Sequence, residues 1–219
     1  MKQYVIIVAG GKGLRMGTTI PKQFLELKGK AIILHTLEKF KEALPLAELL
    51  LVLPQAEIYR WQEIAAGTDF ENIQLANGGS TRFESVQAGL HLIASNGIVG
   101  VHDAVRPFVS IETIQRVFNG AKELNAVIPV IELKDSIRNI QLYNSKAVDR
   151  TNFRIVQTPQ CFTVTVLKEA YQQPFNEIFT DDASVVEANG TRISLVEGNH
   201  ANIKITTAED LKIGEVFLS

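Results

Sequence analysis

The densest chemical signal in this chain lies between Tyr4 and Lys22, where glycines and cations follow an apolar run. Tyr4 to Val8 is apolar, and Ala9-Gly10-Gly11-Lys12-Gly13-Leu14-Arg15-Met16 continues directly from it. Glycine lets the main chain adopt φ > 0 and approach a ligand closely. Gly10, Gly11 and Gly13 can therefore turn bare N–H groups toward phosphate oxygens. Arg15 and Lys22 bring positive charge to the same place, and Pro21 restricts the direction from which Lys22 arrives. Lys12 taken alone reads as a solvated side chain. The chemistry this pattern suits is a seat for the phosphates of a nucleotide.

Two other phosphate motifs are excluded by spacing. A P-loop requires a glycine where Ile6 stands and a Ser or Thr where Gly13 follows Lys12. The dinucleotide fingerprint requires glycine at Met16, and Gly17 comes one residue late.

Further along, Asp103 follows the apolar run Ile98 to Val101, with Arg106-Pro107 just beyond. A carboxylate near phosphates would repel them. Its expected task is to hold Mg²⁺, directly or through water, or to hold a cationic side chain; a helix cap or an ion pair with Arg106 is the plainer alternative. Gly78, Gly79, Ser80, Arg82 and Ser85 form a second place with bare backbone groups, able to match the edge of a base, although Ser85 could equally bond its own helix. Asp149-Arg150, Gln157-Thr158-Pro159-Gln160, Thr180-Asp181-Asp182-Ala183-Ser184 and Asn202-Ile203-Lys204-Ile205-Thr206 complete the polar set. Lys204 interrupts an apolar extended run and so faces away from Ile203 and Ile205. No histidine has ligand spacing to another or to Cys161, which argues against zinc, and no nucleophile–base pair stands out.

The elements that must position these residues alternate. Extended runs at Tyr4 to Val8, Leu49 to Val52, Ile73 to Leu75, Ile98 to Val101 and Ala126 to Val130 are separated by helical periodicity at 32–42, 56–66, 82–94 and 111–123. This predicts an α/β fold with a mostly parallel sheet, whose ligands gather at the carboxyl ends of the strands. Thr163 to Gln172, Ala183 to Ala188 and Ala208 to Phe217 read as helices, and Ile193 to Val196 and Ile203 to Ile205 as extended. Alternation stops near Lys134, and residues 134–150 read as a protruding β-arm that packs on a second subunit, a floppy hairpin being the alternative.

The chain has 219 residues, 46% hydrophobic and 21% charged, with a net charge of −2. That supports one domain over residues 1–219 and leaves no global basic field for nucleic acid. One cysteine and the lack of a long apolar run or leader point to a soluble cytoplasmic protein.

Taken in order, Ala9 to Met16, Pro21-Lys22-Gln23-Phe24, Val101-His102-Asp103-Ala104-Val105-Arg106-Pro107, Asp149-Arg150, Gln157 to Gln160, Thr180 to Ser184 and Asn202-Ile203-Lys204 resemble the 2-C-methyl-D-erythritol 4-phosphate cytidylyltransferase family over nearly the whole chain. The resemblance implies a Rossmann-like nucleotidyltransferase fold and transfer of CMP from CTP to a sugar-alcohol phosphate, with pyrophosphate released and Mg²⁺ or another divalent cation required. It implies that Arg15 and Lys22 stabilise charge at the α-phosphate and that Arg150 and Lys204 position the attacking phosphate. Ala9, Gly10, Gly11, Gly13, Gly79, Ser80 and Ser85 would hold CTP. Asp103, Ala104, Arg106, Ser136, Thr158 and Thr180 would line the acceptor and metal region. The arm would make a homodimer and lend Arg150 and Ser136 to the neighbour's site. Ser136 stands where relatives often carry threonine, and Ser80 where they often carry aspartate. Ribitol 5-phosphate cytidylyltransferase shares several of these segments, and a non-catalytic nucleotide-binding module would account for the glycine loop alone.

Overall fold

A computed structural model of the chain describes residues 1–10 and 20–218. Gly11, Lys12, Gly13 and Arg15 lie outside the described residues.

The chain begins with β1 (Gln3–Val8), then β2 (Glu26–Leu27), β3 (Lys30–Ala31), α1 (Ile32–Ala43), β4 (Glu48–Leu53), α2 (Ile58–Ala65), β5 (Gln74–Asn77) and α3 (Arg82–His91). It continues through β6 (Ile98–Asp103), α4 (Ile111–Leu124), β7 (Ala126–Glu132), β8 (Ile137–Gln141), β9 (Asn144–Val148), β10 (Arg154–Val156) and β11 (Gln160–Thr163). It closes with α5 (Val164–Ala170), α6 (Asp182–Ala188), β12 (Ser194–Glu197) and α7 (Ala208–Phe217).

β1 pairs in parallel with β4 on one side and β6 on the other, and β5 extends the sheet beyond β4. Val8 lies opposite both Val52 and Asp103, and Leu53 opposite Asn77, so the carboxyl ends of four strands share one edge. β1 reads as a continuous apolar run because both its faces are covered. Val5 and Ile7 pack with Leu37 and Phe40 of α1 and Phe118 of α4. Tyr4, Ile6 and Val8 pack with Val86 of α3 and Val185 of α6 on the other face. The period-2 alternation of a strand places these two sets back to back. Gly100 is required by this packing, since a Cβ there would lie 2.6 Å from the Phe118 ring.

The sheet departs from a simple parallel wind at β11. This strand inserts antiparallel between β6 and β7, and β10 also pairs antiparallel with β7, while β12 joins β7 in parallel. Residues 160–163 gave no separate strand signal because the segment opens on polar Gln157, Thr158 and Gln160, all of which are buried. The run Ile203 to Ile205, expected as extended, forms no regular strand; Ile205 N–H bonds Val105 C=O and the rest is irregular. Helix 56–66 is shortened to α2 by a 3₁₀ turn at Gln55–Glu57. The stretch expected as an arm forms a two-stranded ribbon: among the described residues β8 and β9 pair only with each other, Ile137 opposite Val148.

His102 clamps the end of β6 from inside the core. It is fully buried, and the Arg106 C=O 3.1 Å from Nε2 can only accept, so Nε2 carries the proton. Nδ1 therefore accepts from Thr158 Oγ1 at 2.9 Å, and Thr158 Oγ1 in turn accepts from Asp103 N–H at 3.2 Å. Burial pushes the His102 pKa down to about 3, whereas an unfolded histidine titrates near its ordinary value of about 6.5. Between these values the unfolded chain binds a proton that the folded chain refuses. The stability this group contributes is complete above pH 6.5 and falls as the pH drops, by up to about 1.4 kcal/mol per unit. Urea unfolding of wild type and His102→Gln across pH 7.5 to 5 checks this: the wild type should lose stability with the steeper slope, and parallel curves would contradict the buried neutral imidazole.

Candidate active site

The site is organised by the last residue of β6. Asp103 Oδ2 accepts from Lys204 Nζ at 3.0 Å and from Arg106 Nε at 3.1 Å, and Oδ1 faces Arg82 Nε at 3.7 Å. Burial would raise the Asp103 carboxyl, but the charges of Arg82, Lys204 and Arg106 outweigh it and hold it well below the usual carboxylate range. Two of the tasks left open for Asp103 by the sequence are performed by its contacts: it pairs with Arg106 and it holds Lys204.

These cations come from separate parts of the chain, and each is tied in place. Arg106 follows β6 by three residues and donates from NH1 to Asn202 C=O at 2.8 Å. Asn202, fully buried, donates from Nδ2 to Thr158 C=O at 2.8 Å. Two residues on, Lys204 is thus fixed between this anchor and the Ile205–Val105 backbone bond. Lys22 starts a 3₁₀ turn behind Pro21, whose φ is −57°. The buried neighbour Gln23 donates from Nε2 to Ala9 C=O at 3.0 Å and so pins that turn to the end of β1.

Two clefts open at this edge. The first, about 240 Å³, is walled by Val8, Ala9, Gly10, Lys22, Ser80, Ser85, Arg82, Asp103 and Lys204. The second, about 290 Å³, is walled by Arg82, Asp103, Lys204, Arg106, Thr158, Thr180 and Asp181. Arg82, Asp103 and Lys204 belong to both, so they form the common wall. A larger depression of about 770 Å³ lies against α1 and residues 67–70, but its Lys30–Glu38 and Lys41–Asp69 pairs already neutralise each other. It carries no comparable concentration of cations.

The structure therefore brings Lys22, Lys204, Asp103, Ala9, Gly10, Ser80 and Ser85 to one cleft, and Arg106, Thr158 and Thr180 to the adjoining one. Several of them are already occupied locally. Ser80 donates through N–H and Oγ to Glu84 Oε2 at 2.6 and 2.7 Å, within the capping box of Thr81 and Glu84 that starts α3. Those Ser80 and Thr81 hydrogen bonds hold the Glu84 carboxyl below its ordinary pKa. Ser85 Oγ donates to Thr81 C=O at 2.8 Å, the helix-bonded alternative, while packing close to Gly10 and Gly78. Gly79 is pressed against Glu84 and lines neither cleft. Ala104 is fully buried; its N–H bonds Val8 C=O and its own C=O accepts from Thr36 Oγ1. Ser136 and Arg150 lie at the base of the arm, exposed and lining neither cleft of their own chain, with Arg150 NH1 donating to Lys134 C=O. Arg15, Gly11 and Gly13 fall on the residues not described.

Sequence reasoning gave no role to the pair Arg82 and Asp182. The signal was present: Asp182, Val185 and Val186 share one buried face of α6, and a carboxylate on an apolar stripe requires a cation. Gln23 and Asn202 were given no role of their own, because a buried amide whose partners are backbone groups or another amide, as with Asn202 Nδ2 and Gln157 Oε1, has no sequence mark.

No helix among the described residues is long and apolar enough to cross a membrane. Among the same residues no three His, Cys, Asp or Glu side chains group to hold a metal. Asp103 spends its carboxylate on cations and Asp181 accepts from Gln160 and Ser184, so the donor set does not fit a resident metal built by the protein.

Comparison with known proteins converges on one family. The sequence profile of 2-C-methyl-D-erythritol 4-phosphate cytidylyltransferase matches residues 3–219. The protein of that name from Bacteroides thetaiotaomicron is 51% identical over 219 residues, covering all of both chains, and that of Phocaeicola vulgatus 48% identical over the same span. Among solved structures, 4-diphosphocytidyl-2C-methyl-D-erythritol synthase from Anaerococcus prevotii superposes with a TM-score of 0.85 at 29% identity, over 99% of this chain and 96% of that one. The cytidylyltransferase of Thermus thermophilus gives 0.80 at 31% identity, over 99% and 98%. The Rossmann-like nucleotidyltransferase architecture, the cation-rich edge and these relatives agree: the chain belongs to the 2-C-methyl-D-erythritol 4-phosphate cytidylyltransferase family.

Proposed function

We propose that this chain, as one nucleotidyltransferase domain bearing an arm at 134–150, transfers CMP from CTP to 2-C-methyl-D-erythritol 4-phosphate. The products are 4-diphosphocytidyl-2-C-methyl-D-erythritol and pyrophosphate, a step of isoprenoid precursor synthesis by the non-mevalonate route. The observation that carries the reading is the common wall, where Lys204 and Asp103 face two clefts at once beside Lys22 and Arg106.

In this reading CTP takes the cleft of Ala9, Gly10, Lys22 and Ser85, and the acceptor takes the cleft of Arg106, Thr158 and Thr180. A phosphate oxygen of the acceptor attacks the α-phosphorus; the new P–O bond forms as the bond to the β-phosphate oxygen breaks, and pyrophosphate leaves. A phosphate monoester is already anionic and needs no general base, in keeping with a site that offers cations. The difficulty is bringing two anions together. Lys22 and Lys204, with Arg15 from the glycine loop, are assigned to charge screening and alignment in the transition state. The family consists of nucleotidyltransferases, a class that commonly uses a divalent metal. Magnesium is assigned to the triphosphate as its counter-ion, where it would offset phosphate charge.

The arm is assigned to a homodimer. Its tip exposes Ile140, Leu142 and Tyr143 at 75%, 95% and 99%, and a two-stranded ribbon with such residues in water is marginal without a partner. Arg150 and Ser136 line neither cleft of their own chain, and crossing into the neighbour gives them acceptor-side roles. A cytoplasmic location accords with a reaction between a nucleoside triphosphate and a sugar-alcohol phosphate.

Two measurements test this reading. Pyrophosphate release with CTP and Mg²⁺ should be fast with 2-C-methyl-D-erythritol 4-phosphate and at least about 10²-fold slower with ribitol 5-phosphate, whose different length misplaces the reacting phosphate. Equal rates would refute the acceptor assignment, and no release with either would refute catalysis. Mixing inactive Arg150→Ala and Lys204→Ala subunits should restore about one quarter of wild-type turnover, because half of randomly paired dimers regain one complete site. A mixture as inactive as its parents would show that Arg150 does not serve the neighbouring subunit.

A further inference from the structure

Arg82 stands outside the cation set that the reaction uses, yet it reaches both clefts. Its guanidinium forms a fork on Asp182, NH1 to Oδ1 at 2.9 Å and NH2 to Oδ2 at 2.7 Å, across 100 residues of sequence. Asp182 is fully buried, and Tyr171 OH donates to the same Oδ1 at 2.6 Å. Gln160 holds the start of α6 on both sides of Asp182, Nε2 donating to Asp181 Oδ2 at 2.7 Å and Oε1 accepting from Ala183 N–H at 2.8 Å. Every oxygen of the Asp182 carboxylate is thus committed, and Arg82 has little freedom to rotate.

With its two terminal nitrogens held this way, Arg82 presents Nε to Asp103 Oδ1 at 3.7 Å. Asp103 Oδ2 is then left for Lys204 and Arg106. We propose that Arg82, locked by Asp182 and Tyr171, is a positioning residue that fixes the orientation of the Asp103 carboxylate and so sets where Lys204 stands between the two clefts. The proposal rests on the cytidylyltransferase reading above and deepens it. Arg82 acts through Asp103 and Lys204, and its effect falls on alignment of the two reacting ligands. Arg82 lines the first cleft beside Lys22 and the end of β1, but with both terminal nitrogens committed to Asp182 its contribution to CTP binding is small beside theirs.

A purely structural tie between α3 and α6 makes a different prediction. It would use the same fork, but loosening it would lower stability without touching the division between kcat and KM. Lysine in place of Arg82 keeps the charge and loses the fork, since an ammonium cannot bind a carboxylate bidentately while holding a second contact in plane.

The test compares Arg82→Lys, Tyr171→Phe, Asp182→Asn and the double variant Arg82→Lys/Asp182→Asn, reading kcat, both KM values and the melting temperature beside wild type. Arg82→Lys should lower kcat about tenfold or more while the KM for CTP moves less than about threefold, the signature of misplacement without lost binding. The double variant should be no slower than the slower single, because both changes break one unit. Tyr171→Phe removes one hydroxyl and leaves the fork partners in place, so it reads the effect without threatening the fold; a kcat reduced about threefold supports the role. Wild-type pyrophosphate release together with unchanged kcat in Arg82→Lys and Tyr171→Phe, at whatever melting temperature, overturns the positioning role and leaves the cytidylyltransferase reading standing.

Discussion

A single carboxylate at the end of a buried strand holds this site together. Arg106 and Lys204 both touch Asp103 Oδ2, which puts two positive groups close enough to repel each other. At an effective dielectric of about 20 and a separation of about 6 Å, that repulsion is on the order of 3 kcal/mol. Arg82 and Lys22 add further charge to the same edge. Without Asp103, Lys204 and Arg106 would lose the shared counter-charge that holds them side by side. With it, they stay gathered before any phosphate arrives, and substrate binding need not supply the energy of collecting them.

The sheet explains why Asp103 can do this. β6 is flanked by β1 and by the antiparallel β11, so its end is inside the molecule and its carboxylate lies at a wall that two clefts share. The antiparallel insertion also brings Thr158 against His102 and the Asp103 amide, and Asn202 against Thr158 and Arg106. Residues from three distant segments therefore meet through buried hydrogen bonds, neutral except for the one from Arg106. Asp103 is itself buried, but each of its oxygens faces a cation, which offsets the cost of burying its charge, while Lys204 remains partly exposed near the ligands.

The parallel half of the fold was legible in the sequence because buried strands and amphipathic helices carry periodic signals: Tyr4 to Val8, 111–123 and the arm all appear where expected. The antiparallel strand at 160–163 was not, since Gln160 and Thr158 are polar and their burial depends on partners that only the fold supplies. In the site, Lys22, Asp103, Arg106 and Lys204 could be read from local context, a proline before Lys22 or apolar neighbours around Lys204. Ser80 and Ala104 were marked by their motifs, yet Ser80 bonds Glu84 and Ala104 is walled into the core. Arg82 and Asp182 were both marked in the sequence, but not as partners, because the meaning of each lies in the other, 100 residues away.

The most direct measurement is turnover of Asp103→Asn, with near-ultraviolet circular dichroism confirming an ordered core. The substitution raises the net positive charge at the common wall, so a site that worked by accumulated charge alone would bind phosphates better and react at least as fast. A site aligned by Asp103 should do the reverse, with kcat falling about 10²-fold because Lys204 and Arg106 lose the carboxylate that places them. Wild-type or faster turnover in a folded Asp103→Asn protein would contradict that role for the carboxylate.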